Sequence, residues 1–329
     1  MTEARSRRAP TGPSPFRVEA PRLLPAKFTD PLVTAAGEER ARVPFVKMDT
    51  LWFNTGTLCN LACASCYIES SPTNDALIYL TTAEVERFLD EEAALGLATR
   101  EIGFTGGEPF LNREIIAMLT LALERGHEVL VLTNAMKPMR RHEAALLALR
   151  ERHGARLTLR VSLDHHSGAV HEAERGPMSW APALDGLRWL SEHGFSIAVA
   201  GRRFGSESDR DARASYAALF ADQDIAVDAY DLSRAVLFPA MDDTADVPEI
   251  TTACWGILGQ SPADVMCASS RMVVHRRGEP RARVAACTLL PYQPGFDLGE
   301  TLAEAVRPVA LNHPHCARFC VLGGASCSG

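Results

Sequence analysis

No run in this 329-residue chain approaches the roughly 20 apolar residues that a membrane-spanning helix needs, so a membrane is not expected as a partner. Positive charge is not in excess either. The formal net charge is −7, which argues against a broad nucleic-acid-binding surface and leaves room only for a local basic patch. Arg5, Arg7 and Arg8 near the start are followed by prolines and polar residues instead of an apolar stretch. An export signal is therefore not expected, and the chain reads as cytoplasmic. There is no internal repeat, and no low-complexity segment beyond the first 15 residues. The nine cysteines leave a long gap: none lies between Cys66 and Cys254. Three fall at 59–66 and six from Cys254 onward. In a long chain without a leader, metal ligation accounts for them better than disulfides, and the gap suggests two metal centres on two modules.

What is present describes a globular enzyme, with 47% apolar and 23% charged residues and length enough for a large core. Residues 1–48 hold seven prolines and little periodicity and read as an irregular arm. From Leu51 onward, short apolar runs alternate with amphipathic stretches. Strands are expected at Leu51–Phe53, Glu101–Phe104, Glu128–Leu132, Arg156–Ser162 and Phe195–Ala200, with a sixth between Ile225 and Phe238. Thr81 and Glu84 form a capping-box pattern that opens a helix burying Val85, Phe88 and Leu89. Asn112 is expected to cap the helix containing Ile115, Ile116, Leu119 and Leu123, which Gly126 closes. Further helices are expected through Ala144–Leu149, Trp180–His193 and Ala212–Phe220. Such alternation implies an α/β fold with a parallel sheet.

The run Cys59-Asn-Leu-Ala-Cys63-Ala-Ser-Cys66-Tyr67 carries the chemistry. Its C-x3-C-x2-C spacing supplies three thiolates where a cubane iron–sulfur cluster takes four. One iron is then open to a small molecule, as in reactive metal sites. A structural zinc site or three buried thiols are the plainer alternatives, but zinc favours paired ligands and no fourth ligand follows nearby. A second motif, Gly106-Gly107-Glu108-Pro109, stands directly after the second strand. Alone it would be an ordinary turn. Its glycines let a backbone approach a ligand closely, where bare amides and carbonyls can hold polar groups. Thr133-Asn134 follows the third strand and Ser162-Leu163-Asp164 ends the fourth. In α/β barrels the carboxyl ends of the strands carry the chemistry, and all these residues share that rim.

Together these motifs resemble the radical S-adenosylmethionine (radical SAM) superfamily over residues 50 to about 235. The resemblance implies a partial (β/α)6 TIM-type barrel at 49–240. It also implies a [4Fe-4S] cluster on Cys59, Cys63 and Cys66 whose open iron takes the amino and carboxylate groups of S-adenosylmethionine. By the same resemblance, Gly106, Gly107, Glu108 and Pro109 grip the SAM amino group. Ser162 and Asp164 match an S-x-D element, with Arg175 as the later arginine contacting the SAM carboxylate or ribose. A guanidinium suits that role because its planar fork matches a carboxylate; a solvated loop arginine is the alternative. Tyr67 is the expected adenine-side contact, and Asn134 positions the ribose or the rim. Ser65 departs from the pattern, standing where many members place an aromatic residue.

The tail, Cys267-x19-Cys287-x28-Cys316-x3-Cys320-x6-Cys327, resembles the SPASM module and its shortened form, twitch, at 241–329. This implies a small cysteine-rich module with a second [4Fe-4S] cluster on Cys267, Cys287 and two of Cys316, Cys320 and Cys327. A zinc knuckle is the alternative, and Cys254 reads as a buried thiol.

The implied reaction is reductive cleavage of S-adenosylmethionine to a 5′-deoxyadenosyl radical that abstracts hydrogen from a substrate. The second cluster would accept the electron, with a flavodoxin or ferredoxin as low-potential donor. His165 and His166 could serve as acid or base, and Asp231 and Asp242 are weaker candidates. No winged-helix peptide-binding domain is evident before the first strand. A small-molecule substrate is therefore favoured over a ribosomally made peptide, and a non-enzymatic electron carrier is the third alternative.

Overall fold

The computed structural model describes residues 26–204, 207–239 and 246–323. A short strand β1 (Arg42–Val43) precedes the main sheet. The next six strands are β2 (Thr50–Asn54), β3 (Glu101–Thr105), β4 (Glu128–Thr133), β5 (Leu157–Ser162), β6 (Ser196–Arg203) and β7 (Ala235–Pro239). Three more come from the cysteine-rich region, namely β8 (Ser270–Val274), β9 (Arg283–Ala285) and β10 (Asp297–Gly299). A last strand, β11 (Val309–Ala310), pairs antiparallel with β1. The sheet order is β10-β9-β8-β2-β3-β4-β5-β6-β7. From β8 to β7 every pairing is parallel, and β9 and β10 extend the sheet antiparallel. β7 and β10 do not meet among the described residues, so the barrel is open, as a partial barrel requires.

The six expected strands are all present, and the sixth is confined to β7. The sequence reading found no strand beyond them. Yet β8 pairs parallel with β2, from Thr50 beside Ser270 to Phe53 beside Val273, so the cysteine-rich region builds directly onto the barrel sheet. β2 and β8 are buried along their whole length, as strands covered on both faces must be.

Helix α1 (Thr82–Leu95) has the expected capping box at Thr81 and Glu84, buries Val85, Phe88 and Leu89, and ends on left-handed Gly96. Helix α2 (Ile115–Glu124) differs from expectation at its start. Its first turn has no side-chain cap. Asn112 instead accepts from the Glu114 N–H in a turn just upstream, and its amide donates to Leu80 O. Tying two loops together uses the amide's donors as well as its oxygen, which a helix cap would not. Helices α3 (Lys137–Arg140), α4 (Glu143–His153), α5 (Gly168–Arg175), α6 (Trp180–Glu192) and α7 (Asp209–Asp222) complete the crossovers. No helix among the described residues is long and apolar enough to cross a membrane.

Candidate functional site

The rim residues converge on one cavity. Its lining includes Cys59, Cys63, Cys66 and Tyr67 after β2, Gly106 and Gly107 after β3, Asn134 after β4, Ser162 and Arg202 at the ends of β5 and β6, and Asp164 and Arg175 after β5. The parallel register makes this convergence unavoidable, because all these strands end at the same side of the sheet.

The cysteine loop is held by its own backbone and by its neighbours. Cys59 N–H donates to Ser71 O and Ala64 N–H to Glu174 O. Two amides are aimed at sulfur: Leu61 N–H lies 3.4 Å from Cys59 Sγ and Ser70 N–H 3.2 Å from Cys66 Sγ. Such donors stabilise thiolates and tune a bound cluster. Without metal, burial pushes the Cys59 thiol well above its usual range and Cys63 up to about 11.

In the GGEP segment, Gly106 and Gly107 line the cavity, and two of its amides are engaged by the chain itself. Gly107 N–H donates to Gly56 O at 2.8 Å and Glu108 N–H to Leu58 O at 3.1 Å, so two of these amides clamp the loop leading into Cys59. A Cβ on Gly107 would stand 2.2 Å from Leu58 O, and one on Gly106 would stand 2.5 Å from Gly56 O. The close approach is to the chain's own backbone. Glu108 is buried and accepts from Phe110 N, Thr133 Oγ1 and Asn134 N. It thereby locks β3 to β4 and does not reach into the cavity lining. Pro109 starts a buried single turn behind it. Asn134 belongs to the same lock, with its amide donating to Asn60 and its oxygen accepting from Met136 N.

Burial outweighs those three hydrogen bonds and raises the Glu108 carboxyl to about 7. The folded chain therefore holds a proton that the unfolded chain releases near 4.5. Stability from this group is full below 4.5 and is lost as pH rises through 7, by about 3 kcal/mol. Urea titrations of the metal-free chain at pH 4.5 and 8 should show that loss, and Glu108→Gln should remove it. An unchanged slope in the variant would refute the assignment.

Asp164 is the electrostatic centre of the far wall. Arg175 donates to it through Nε at 2.8 Å and Nη2 at 3.3 Å, and Arg202 Nε lies 3.5 Å away. Burial would raise this carboxyl, but the two guanidinium groups hold it below the usual range. Arg175 is thus placed through Asp164, and Nη1, the nitrogen outside this pair, has no hydrogen bond among the described residues. Arg202, which sequence reasoning missed, reaches across to Ser65 and bonds both its Oγ and its carbonyl. The departure at Ser65 therefore has a structural use: a small hydroxyl ties the cysteine loop to β6. The available signal was that Arg202 lies at the rim end of a parallel strand.

His165 and His166 lie outside the cavity lining and converge on Glu207 instead. His166 Nε2 is 2.8 Å from Glu207, and His165 Nδ1 accepts from Ser167 N–H. That bond leaves His165 Nε2 protonated, so it is a donor and not a metal ligand. Asp231 is exposed and closes a turn on Ser233, while Asp242 lies outside the described residues.

At the second cysteine group, the buried Cys316 thiol is pushed well above its usual range by burial and by the nearby Cys287, Cys320 and Cys267. These four come together. Cys254 is engaged by Thr251 instead, and Cys327 lies outside the described residues. Tetrahedral zinc with 2.3 Å bonds would bring its sulfurs to about 3.8 Å from one another. Among the described residues, no three cysteine sulfurs lie within even 4.8 Å of one another. Both donor sets offer thiolates, the donor type an iron–sulfur cluster takes, three at the rim and four in the second group.

The family model of the Radical SAM superfamily matches residues 53–210. Over that stretch, a little under half of the chain, it is similar to members of that superfamily, which use a [4Fe-4S] cluster and S-adenosylmethionine. Among curated proteins it is similar to the antilisterial bacteriocin subtilosin biosynthesis protein AlbA of Bacillus subtilis, 34% identical over 143 residues, or 43% of this chain and 30% of AlbA. It is also similar to GTP 3′,8-cyclase of Rhodococcus opacus, 28% identical over 165 residues, covering 42% of this chain and 47% of the cyclase. The chain thus spans less than half the length of these relatives. Streptococcus suis SuiB bound to S-adenosylmethionine shares the fold, with a TM-score of 0.53 at 14% identity over 77% of this chain and 63% of SuiB.

Proposed function

We propose that this chain is a radical SAM enzyme that removes hydrogen from an organic substrate, with Cys59, Cys63 and Cys66 holding the reactive cluster. The observation that carries the reading is the single cavity lined at once by three cysteines, Tyr67, and the Asp164–Arg175–Arg202 group. Cys59, Cys63 and Cys66 would hold the cluster, which would supply the one-electron reduction that cleaves S-adenosylmethionine to methionine and a 5′-deoxyadenosyl radical. The chain's own residues then bind and orient. Arg175, set by Asp164, presents a guanidinium to the carboxylate of the bound S-adenosylmethionine, and Ser162 and Tyr67 line the same wall. Gly106 and Gly107 keep the cysteine loop in register with that wall. Cys267, Cys287, Cys316 and Cys320 would hold a second cluster, which would supply a place for an electron, and a flavodoxin- or ferredoxin-like protein would be the low-potential donor.

A small molecule is the first reading for the substrate, in keeping with similarity to a cyclase named for GTP. Similarity to a bacteriocin-biosynthesis protein supports a second reading, a peptide. Anaerobic reconstitution followed by dithionite and S-adenosylmethionine tests the activity. The expected outcome is 5′-deoxyadenosine from the wild type and none from the Cys59/Cys63/Cys66→Ala variant. Iron should fall from about eight per chain to about four. Intact S-adenosylmethionine with wild type and equal iron in both chains would sink the proposal.

A further inference from the structure

Arg271, on β8, is fully buried. Its guanidinium donates only to backbone carbonyls: Nε to Ala305 O, Nη1 to Cys267 O and Ser270 O, and Nη2 to Arg307 O. Phe45 covers it at 4.8 Å. Among the described residues no carboxylate pairs with it, although a guanidinium does not give up its proton in a protein. A buried charge without an opposite charge is costly, and carbonyl dipoles supply no net charge. The groups whose charge reaches it are Cys267 and Cys287, with Arg307 opposing them. As thiols these cysteines are neutral. As thiolates bound to a metal group they would be the missing counter-charge.

We propose that Arg271 is the built-in counter-cation of the second cluster site and raises the reduction potential of the cluster held by Cys267, Cys287, Cys316 and Cys320. The inference rests on the reading of that site given above. An added electron places negative charge beside a fixed cation in a low-dielectric interior, which favours the reduced form. The site would thereby be tuned to accept an electron.

The test uses the full chain carrying Cys59/Cys63/Cys66→Ala, so that only the second cluster contributes. Dithionite, through mediators, supplies one electron per cluster, and the reduced fraction is followed by electron paramagnetic resonance. Arg271→Gln keeps an amide donor for the carbonyls and removes the charge. It should shift the reduction equilibrium at least tenfold against the reduced form, 59 mV lower for one electron. Arg271→Lys, which keeps the charge, should stay within threefold of the parent. A Gln variant within threefold of the parent at equal iron content overturns the proposal, as does a Lys variant that falls as far as Gln. Should the Gln variant fail to fold, the Lys variant is followed from pH 7 to pH 11: a potential that falls tenfold as the amine loses its proton, beyond the drift of the parent, upholds the charge effect, and a profile parallel to the parent's overturns it. A parent chain that takes up no iron overturns the second-cluster reading itself, a result distinct from an unchanged potential.

Discussion

Asp164→Asn should destabilise the chain by about 3–5 kcal/mol, the usual loss when one partner of a buried ion pair is removed. Asp164 is nearly inaccessible, and both Arg175 and Arg202 are mostly covered, so solvent screens the group little. The variant keeps the volume and loses only the charge, leaving two guanidinium groups facing each other. Urea unfolding should show a lower midpoint at unchanged slope. The effect should also reach the cysteine loop, because Arg202 holds Ser65 by both its hydroxyl and its carbonyl. Reconstituted iron at the first site should fall with stability. Asp185→Asn supplies the contrast, since its pair with Arg188 is largely exposed. Its removal should cost less than about 1 kcal/mol. Equal midpoints for the two variants would show that the Asp164 network is not a structural anchor.

Gly107→Ala should be at least as damaging to the first cluster site. The added Cβ would meet Leu58 O at 2.2 Å, Leu58 C at 2.6 Å and Thr57 O at 2.7 Å, all of them backbone atoms with no rotamer to change. The segment must move away, which breaks the Gly107–Gly56 and Glu108–Leu58 hydrogen bonds. Two such bonds at about 1 kcal/mol each and overpacking of about 1–3 kcal/mol give an expected loss of about 3–5 kcal/mol. Because those bonds set the path into Cys59, iron at the first site should drop to less than half of the roughly four atoms a cubane holds. Gly256→Ala, at a position where a Cβ would meet nothing within 4 Å, should leave both iron content and stability within about 0.5 kcal/mol. A Gly107→Ala chain that binds iron like the wild type would show that the clamp is dispensable.

Much of this architecture was legible from local pattern. The six strands follow from apolar periodicity, and the α1 start follows from Thr81 and Glu84. Parallel strands place their carboxyl ends together, so motifs found after separate strands had to meet. The role of GGEP was less legible. Its glycines do serve a close approach, but to the backbone of residues 56–58, and nothing local identifies that neighbour. Arg202 was overlooked because arginines at strand ends are common, and only the fold brings it opposite Ser65. The strand end alone makes His165 and His166 candidates for acid–base chemistry, whereas the fold sets both against Glu207, which is distant in sequence.

The amino-acid sequence by itself determined the fold class and the closeness of three thiols within eight residues, because both rest on short-range spacing: alternation along strands, a capping box and the run from Cys59 to Cys66. Only the tertiary structure decided which far cysteines come together, how Asp164 is shared between two arginines, and that the cysteine-rich region continues the barrel sheet through β8. These depend on contacts between segments far apart in the chain, set by burial and by the need to pair buried polar groups. No local pattern encodes the partner. Arg271 marks the boundary between the two: nothing in the local sequence distinguishes it from a surface arginine, and in the fold it is a buried cation lacking a carboxylate among the described residues, near the thiols of Cys267 and Cys287.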